Sequence, residues 1–185
     1  MKKLLLIFLM CSFLLVNGQG KDNINRNGNG NGNGNLIGNG NLIGYINKSD
    51  FLNGKHSDWF STNYKNYQPN KKIVQKISKK LKNISIKAFI GSWCHDSKRE
   101  LPRFYKIMES AALDLNINFQ MVGISIGKKT PDNLQEGYQI KHTPTFIFYK
   151  KGKEIGRYVE HAKKTLEKDI LKILRTHNYK HPYQK

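Results

Sequence analysis

Between Ile84 and Ile126 the chain reads as strand, helix, strand, and that pattern constrains the fold more than any other feature. Ile84 to Ile90 alternates and is rich in β-branched residues, as a strand should be. Residues 94–113 carry a helical pattern interrupted by Pro102. Residues 117–126 place Ile117, Phe119, Met121, Val122, Ile124 and Ile126 in a second buried strand. A helix precedes this unit at 71–82, with Ile73, Val74, Ile77 and Leu81 on one face and lysines on the rest. A short helix is predicted at 131–138, after Thr130 as N-cap. Strands follow at 145–149 and 154–159, joined by a Lys151-Gly152 turn into a hairpin. A closing helix at 165–176 turns Leu166, Ile170, Ile173 and Leu174 inward. Alternating helices and strands imply an α/β fold, a central mixed sheet flanked by helices on both faces.

The pattern does not extend over all 185 residues. Lys2, Lys3 and the apolar run Leu4–Val16 read as an export signal ending at Gly18. That run is short for a membrane span of about twenty residues. The expected location is therefore periplasmic or extracellular. Residues 19–55 read as an Asn/Gly-rich flexible linker, in which the hexamer Asn-Gly-Asn-Leu-Ile-Gly occurs twice, at 33–38 and 39–44. The domain is placed at 56–178, opened by Trp59, Phe60, Tyr64 and Tyr67, with a polar tail at 179–185. The chain has two cysteines, Cys11 and Cys94, which excludes a disulfide scaffold and a Cys-rich zinc site. Removal of the leader leaves Cys94 alone. A lone cysteine in an exported protein is a reactive thiol or pairs with another molecule.

Trp93-Cys94-His95-Asp96-Ser97 sits where a strand turns into a helix. A cysteine there faces unpaired backbone N–H groups and the positive end of the helix dipole, both of which favour thiolate over thiol. His95, Lys98 and Arg99 add in the same direction, and Asp96 opposes them. Trp93-Cys94, Pro102 eight residues after the cysteine, Thr143-Pro144 opening a strand, the Gly152 turn and Gly156 together resemble the thioredoxin family. The resemblance covers about 120 residues, from near His56 to His177. It implies that Cys94 is the nucleophile, that Pro144 is cis and faces it, and that the backbone at Thr143 pairs with an extended substrate peptide. His142, just before Thr143, would then lie near Cys94.

Two positions depart from the family pattern. Ser97 replaces the second cysteine of Cys-x-x-Cys; it can hydrogen-bond the Cys94 thiolate but cannot form a disulfide. Ala88 stands where many thioredoxins carry a buried Asp that manages protons. The reading is thiol–disulfide exchange through one nucleophile, Cys94, supported by Ser97, with Trp93, His95, Asp96, His142, Thr143 and Pro144 as neighbours. No metal or cofactor is expected. The partners are client proteins with thiols or disulfides and an external thiol reductant. The alternative is a redox-inactive module that holds extended peptides. The net charge of +19 favours association with anionic surfaces. Nucleic acid is not expected as the partner of an exported protein.

Overall fold

The structure is a computed structural model that describes residues 35–37 and 40–184. The predicted leader, 1–18, and the first part of the linker lie outside the described residues. The elements are β1 (Asn35–Ile37), β2 (Asn41–Ile46), α1 (Ser57–Asn66), α2 (Lys71–Ser78), β3 (Ile84–Ile90), α3 (His95–Ser110), α4 (Leu115–Asn118), β4 (Phe119–Gly123), β5 (Thr145–Lys150), β6 (Lys153–Val159) and α5 (Leu166–Thr176). They build one mixed sheet in the order β1-β2-β4-β3-β5-β6. Strands β3 and β4 are parallel, as a strand–helix–strand crossover requires. The β5–β6 hairpin turns at Lys151-Gly152, both at positive φ.

The period of two sorts side chains between two cores. Ile86, Ala88, Ile90, Met121, Phe146 and Phe148 face the larger one, to which α1, α2, α3 and α5 contribute Phe60, Ile77, Leu101, Phe104, Ile170 and Ile173. The alternate residues Phe89, Val122, Ile147 and Tyr149 face the other side. There Leu134, Tyr138 and Ile140 cover them. The helix predicted at 131–138 is instead a run of turns. Asn133, Gly137 and Gln139 adopt positive φ there, which interrupts any helical register. The start of the second buried strand also differs. Asp114 accepts a hydrogen bond from the Asn116 N–H and winds 115–118 into a helical turn, leaving Ile117 exposed.

Pro102 lies inside a continuous α3 instead of interrupting it. A proline cannot donate to the carbonyl four residues back, here that of Lys98. The Asn63 side-chain amide of α1 donates to that oxygen at 3.3 Å. The neighbouring helix thus satisfies the group that Pro102 would have left orphaned.

The linker boundary at residue 55 is corrected. Strand β2 pairs antiparallel with β4, Gly44 opposite Gly123 and Ile46 opposite Met121. The two backbones approach so closely that a Cβ on Gly123 would lie 2.3 Å from the Leu42 oxygen. Leu42, Ile43, Ile46 and Phe51 are buried. Asn47 and Asp50 form a capping box that turns the chain toward Phe51. The polar tail is corrected likewise: Tyr179 is buried and its hydroxyl donates to the Asp169 carboxylate.

His56 belongs to this N-terminal packing. Its ring is buried beside Phe51 and Trp59, and Nε2 donates to the Gly40 carbonyl at 3.2 Å. Burial pushes its pKa below the usual 6.5, and Lys55 and Lys98 act in the same direction against the hydrogen bond to Gly40. A depressed folded-state value means that folding favours the neutral ring. Its contribution is complete above the ordinary value and is lost as pH falls through the folded-state value. His56→Gln, which keeps a donor without titrating, is expected to flatten part of the stability loss below about pH 6.5. Urea midpoints measured across that range check this. An unchanged pH slope contradicts it.

Candidate active site

The site forms where β3 ends and α3 begins, opposite the start of β5. Ile90 closes the strand and Gly91 follows. A Cβ on Gly91 would lie 2.7 Å from the Trp93 ring, so glycine makes room for the indole. Trp93 is fixed by its Nε1–H, which donates to the Ile124 carbonyl at 3.0 Å. The Lys128 ammonium lies over the same ring, 5.7 Å from its centroid. Ser92 is buried and its hydroxyl accepts the Leu42 N–H at 2.9 Å. Strand β2, read from sequence as linker, therefore braces the loop that carries the cysteine.

Cys94 is the N-cap of α3, with extended backbone and a side chain that makes no cap bond. Its carbonyl accepts the first helical hydrogen bond, from Lys98. The residue thus sits at the positive end of the α3 dipole. Cys94 is a free thiol, 8% exposed. It donates to the Thr143 carbonyl oxygen at an Sγ···O distance of 3.3 Å. The Thr143–Pro144 bond is cis. Thr143 and Pro144 are buried, and the Thr145 hydroxyl donates to the His142 carbonyl, closing the turn.

The remaining candidates divide. Ser97 is fully buried, one helical turn from Cys94, but its hydroxyl accepts the Gly91 N–H at 3.2 Å, and no hydrogen bond joins it to the Cys94 sulfur. The oxygen is thus tied to the strand–helix loop. Its own proton remains available to an anion. His95 points outward with 86% of its side chain exposed, and its Nε2 lies 3.0 Å from Asp96. Asp96 is buried and also accepts from the Arg99 guanidinium at 2.6 Å. Its charge, expected to oppose a thiolate, is therefore offset locally. His142 sits beside the Thr143 turn, stacked on Tyr183 and 3.4 Å from Glu160.

Behind the first turn, Arg99 also donates to Glu100 at 2.6 Å. Burial works to lower the Arg99 pKa, and the Glu100 and Asp96 carboxylates outweigh it and raise the value. Glu100 is buried with Oε2 unpartnered, as is the Tyr158 hydroxyl. Burial raises the Tyr158 pKa, and the Glu100 charge raises it further. Ser92, Glu100 and Tyr183 were not read as site residues from the sequence. Helical spacing places Glu100 on the buried side of α3 beside Ser97, a signal that was available; Ser92 is in the cysteine loop but its partner Leu42 comes from a distant strand, and Tyr183 reaches the site only through tertiary packing. Among the described residues, no group of three His, Cys, Asp or Glu side chains is placed to hold a metal ion. An open cleft of about 530 Å³ is lined by Asn41, Ile43, Ser125, Ile126, Thr130 and Pro131.

A family model described as Thioredoxin matches residues 47–172, more than half of the chain. Among curated proteins, protein disulfide-isomerase A5 of Bos taurus is 28% identical over 89 residues, 48% of this chain and 16% of that protein. Thioredoxin H9 of Arabidopsis thaliana is 29% identical over 91 residues, 49% of this chain and 60% of that protein. The chain thus spans less than two thirds of either relative. Solved structures that resemble it include Fasciola hepatica thioredoxin, at 19% identity and TM-score 0.32, covering 45% of this chain and 73% of that one. Mitochondrial thioredoxin 3 of Saccharomyces cerevisiae, in its oxidized form, gives 18% identity and TM-score 0.31, covering 51% and 84%. The family match takes in the Trp93-Cys94 loop, Pro102 and the Thr143–Pro144 turn, and by it the chain belongs to the thioredoxin family.

Proposed function

We propose that this protein carries out thiol–disulfide exchange through the single nucleophile Cys94. The observation that carries the reading is the placement of Cys94, the N-cap residue of α3, with its sulfur 3.3 Å from the Thr143 carbonyl beside Pro144. The Cys94 thiolate attacks one sulfur of a client disulfide. A Cys94–client disulfide forms and the second client sulfur leaves as a thiolate. A second thiol, from the client or an external reductant, then attacks the mixed disulfide and restores Cys94. Cleaving one client disulfide fully consumes two thiols and yields one new disulfide between them. The Ser97 hydroxyl donates a hydrogen bond to the thiolate once it forms. An extended client lies along Thr143. The resemblance to a protein disulfide-isomerase and a thioredoxin supports the reaction class.

The reading includes export, on the Lys2-Lys3 and Leu4–Val16 pattern. It also includes association with anionic surfaces. The segments 71–82 and 163–175 carry exposed Lys71, Lys72, Lys76, Lys168, Lys172 and Arg175, while their carboxylates Glu167 and Asp169 are buried and hydrogen-bonded inside.

The test is extraction of the native protein under conditions that block free thiols, followed by intact-mass analysis. Client adducts released by reductant, and absent in Cys94→Ser, are expected on a chain lacking residues 1–18. A folded wild type free of adducts that binds the same peptides as Cys94→Ser would favour the redox-inactive module. A mass that includes Met1 to Gly18 contradicts export.

A further inference from the structure

After α5 the chain turns at His177, in the left-handed region, and runs back along the molecule. Tyr179 anchors it, buried and bonded to Asp169. Four residues later the Tyr183 ring stacks on the His142 ring, with centroids 3.8 Å apart and planes within 9°. The Tyr183 hydroxyl donates to the Glu160 carboxylate. That carboxylate lies 3.4 Å from His142 Nδ1 and 3.8 Å from His161 Nδ1. The Glu160 backbone N–H donates to the Pro144 carbonyl at 2.8 Å. Tyr183 therefore grips the turn twice, through the ring of His142 and through the residue that bonds Pro144. The same turn presents the Thr143 carbonyl to Cys94. The family match ends at residue 172, so this segment lies beyond the part of the chain that matches the family.

We propose that residues 179–183 form a strap that fixes the His142–Pro144 turn, and that Tyr183 is a positioning residue for the capture of extended client peptides by Cys94. The second half of the proposal rests on the thiol-exchange reading. Tyr183 touches neither Cys94 nor the client. It acts by holding the peptide-pairing backbone at Thr143 in register with the sulfur. The chemistry of the sulfur itself is left untouched, so a small reagent that needs no groove should not sense the strap.

The experiment uses the full chain and two variants, Tyr183→Ala and Tyr183→Phe. Tyr183 is exposed, so both variants should fold, and the amides of Phe146 and Ile170 serve as controls. Three rates are read: amide exchange at Glu160, mixed-disulfide formation with an extended peptide disulfide, and alkylation of Cys94 by iodoacetamide. Loss of one aromatic stack and one hydrogen bond corresponds to about tenfold. Tyr183→Ala should speed Glu160 exchange and slow peptide capture by about that factor. Alkylation should be unchanged. Tyr183→Phe keeps the stack, loses the bond to Glu160 and should recover part of both effects. Unchanged exchange at Glu160 in Tyr183→Ala overturns the strap. Faster exchange with unchanged or faster capture overturns the positioning role. A wild type that captures no peptide overturns that role together with the thiol-exchange reading, and Glu160 exchange then decides on the strap alone.

Discussion

A chain that begins at His56 will fail to hold the native fold, whereas one that begins at Gly40 will keep it. The shorter chain loses Leu42, Ile43, Ile46 and Phe51 from the core. Burying each such side chain contributes about 1.5–3 kcal/mol, and four of them match most of a net stability of about 5–15 kcal/mol. It also strips β4 of its antiparallel partner, exposing a strand edge, and removes the Leu42 N–H that Ser92 accepts in the active-site loop. Urea unfolding followed by tryptophan fluorescence checks both chains. The His56 chain should show no cooperative transition. A cooperative transition with a midpoint equal to that of the Gly40 chain contradicts the assignment of β2 to the core.

The composition of residues 19–55 hid that strand. Asn and Gly dominate the average, and the second copy of the hexamer reads like the first. What separates it is tertiary: Gly44 sits opposite Gly123, and the close backbone approach needs glycine at 123. Elements with their own periodicity were legible. The bounds of β3, β5, β6 and α5 follow from alternation or helical spacing, and the mixed sheet follows from their order. The helix expected at 131–138 is broken at Asn133 and Gly137, whose positive φ the N-cap reading at Thr130 did not weigh. In the site, the Trp93-Cys94 loop and Thr143-Pro144 were legible as motifs, and the structure brings them to 3.3 Å across 49 residues. The partners of Ser97 and His142 were not, because Gly91 and Tyr183 meet them through packing that no spacing encodes.

Ser97→Cys is expected to convert the protein from one that accumulates mixed disulfides into one that releases them. Position 97 lies one turn after Cys94 on α3, fully buried and on the same side of the helix. The substitution exchanges one oxygen for sulfur and gives up the bond that the Ser97 hydroxyl accepts from the Gly91 N–H. The new thiol attacks the Cys94–client disulfide, forms the internal disulfide and expels the client as a thiol. An added dithiol reductant then completes a cycle, and reductase activity rises above that of wild type, which releases each client only when an external thiol attacks. Ala88 is fully buried on β3 and offers no carboxylate to accept a proton, so turnover should be slower than in a relative that carries one. Insulin reduction measured for wild type, Ser97→Cys and the double variant with Cys94→Ser checks this. The double variant should be inactive. No gain of activity in a folded Ser97→Cys chain contradicts the assignment of Cys94 as nucleophile.

Activation of Cys94 by the fold, as opposed to its mere burial, is read from the rate at which Cys94 forms a mixed disulfide with a small symmetrical disulfide, followed by intact mass, in the folded protein and in the same protein unfolded by urea. A thiol at 8% exposure with no activation is protected by folding and reacts more slowly in the native state. An activated Cys94 does the reverse: one adduct is expected to form faster in the folded protein and to persist until thiol is added. A folded protein that reacts more slowly than the unfolded chain would contradict it.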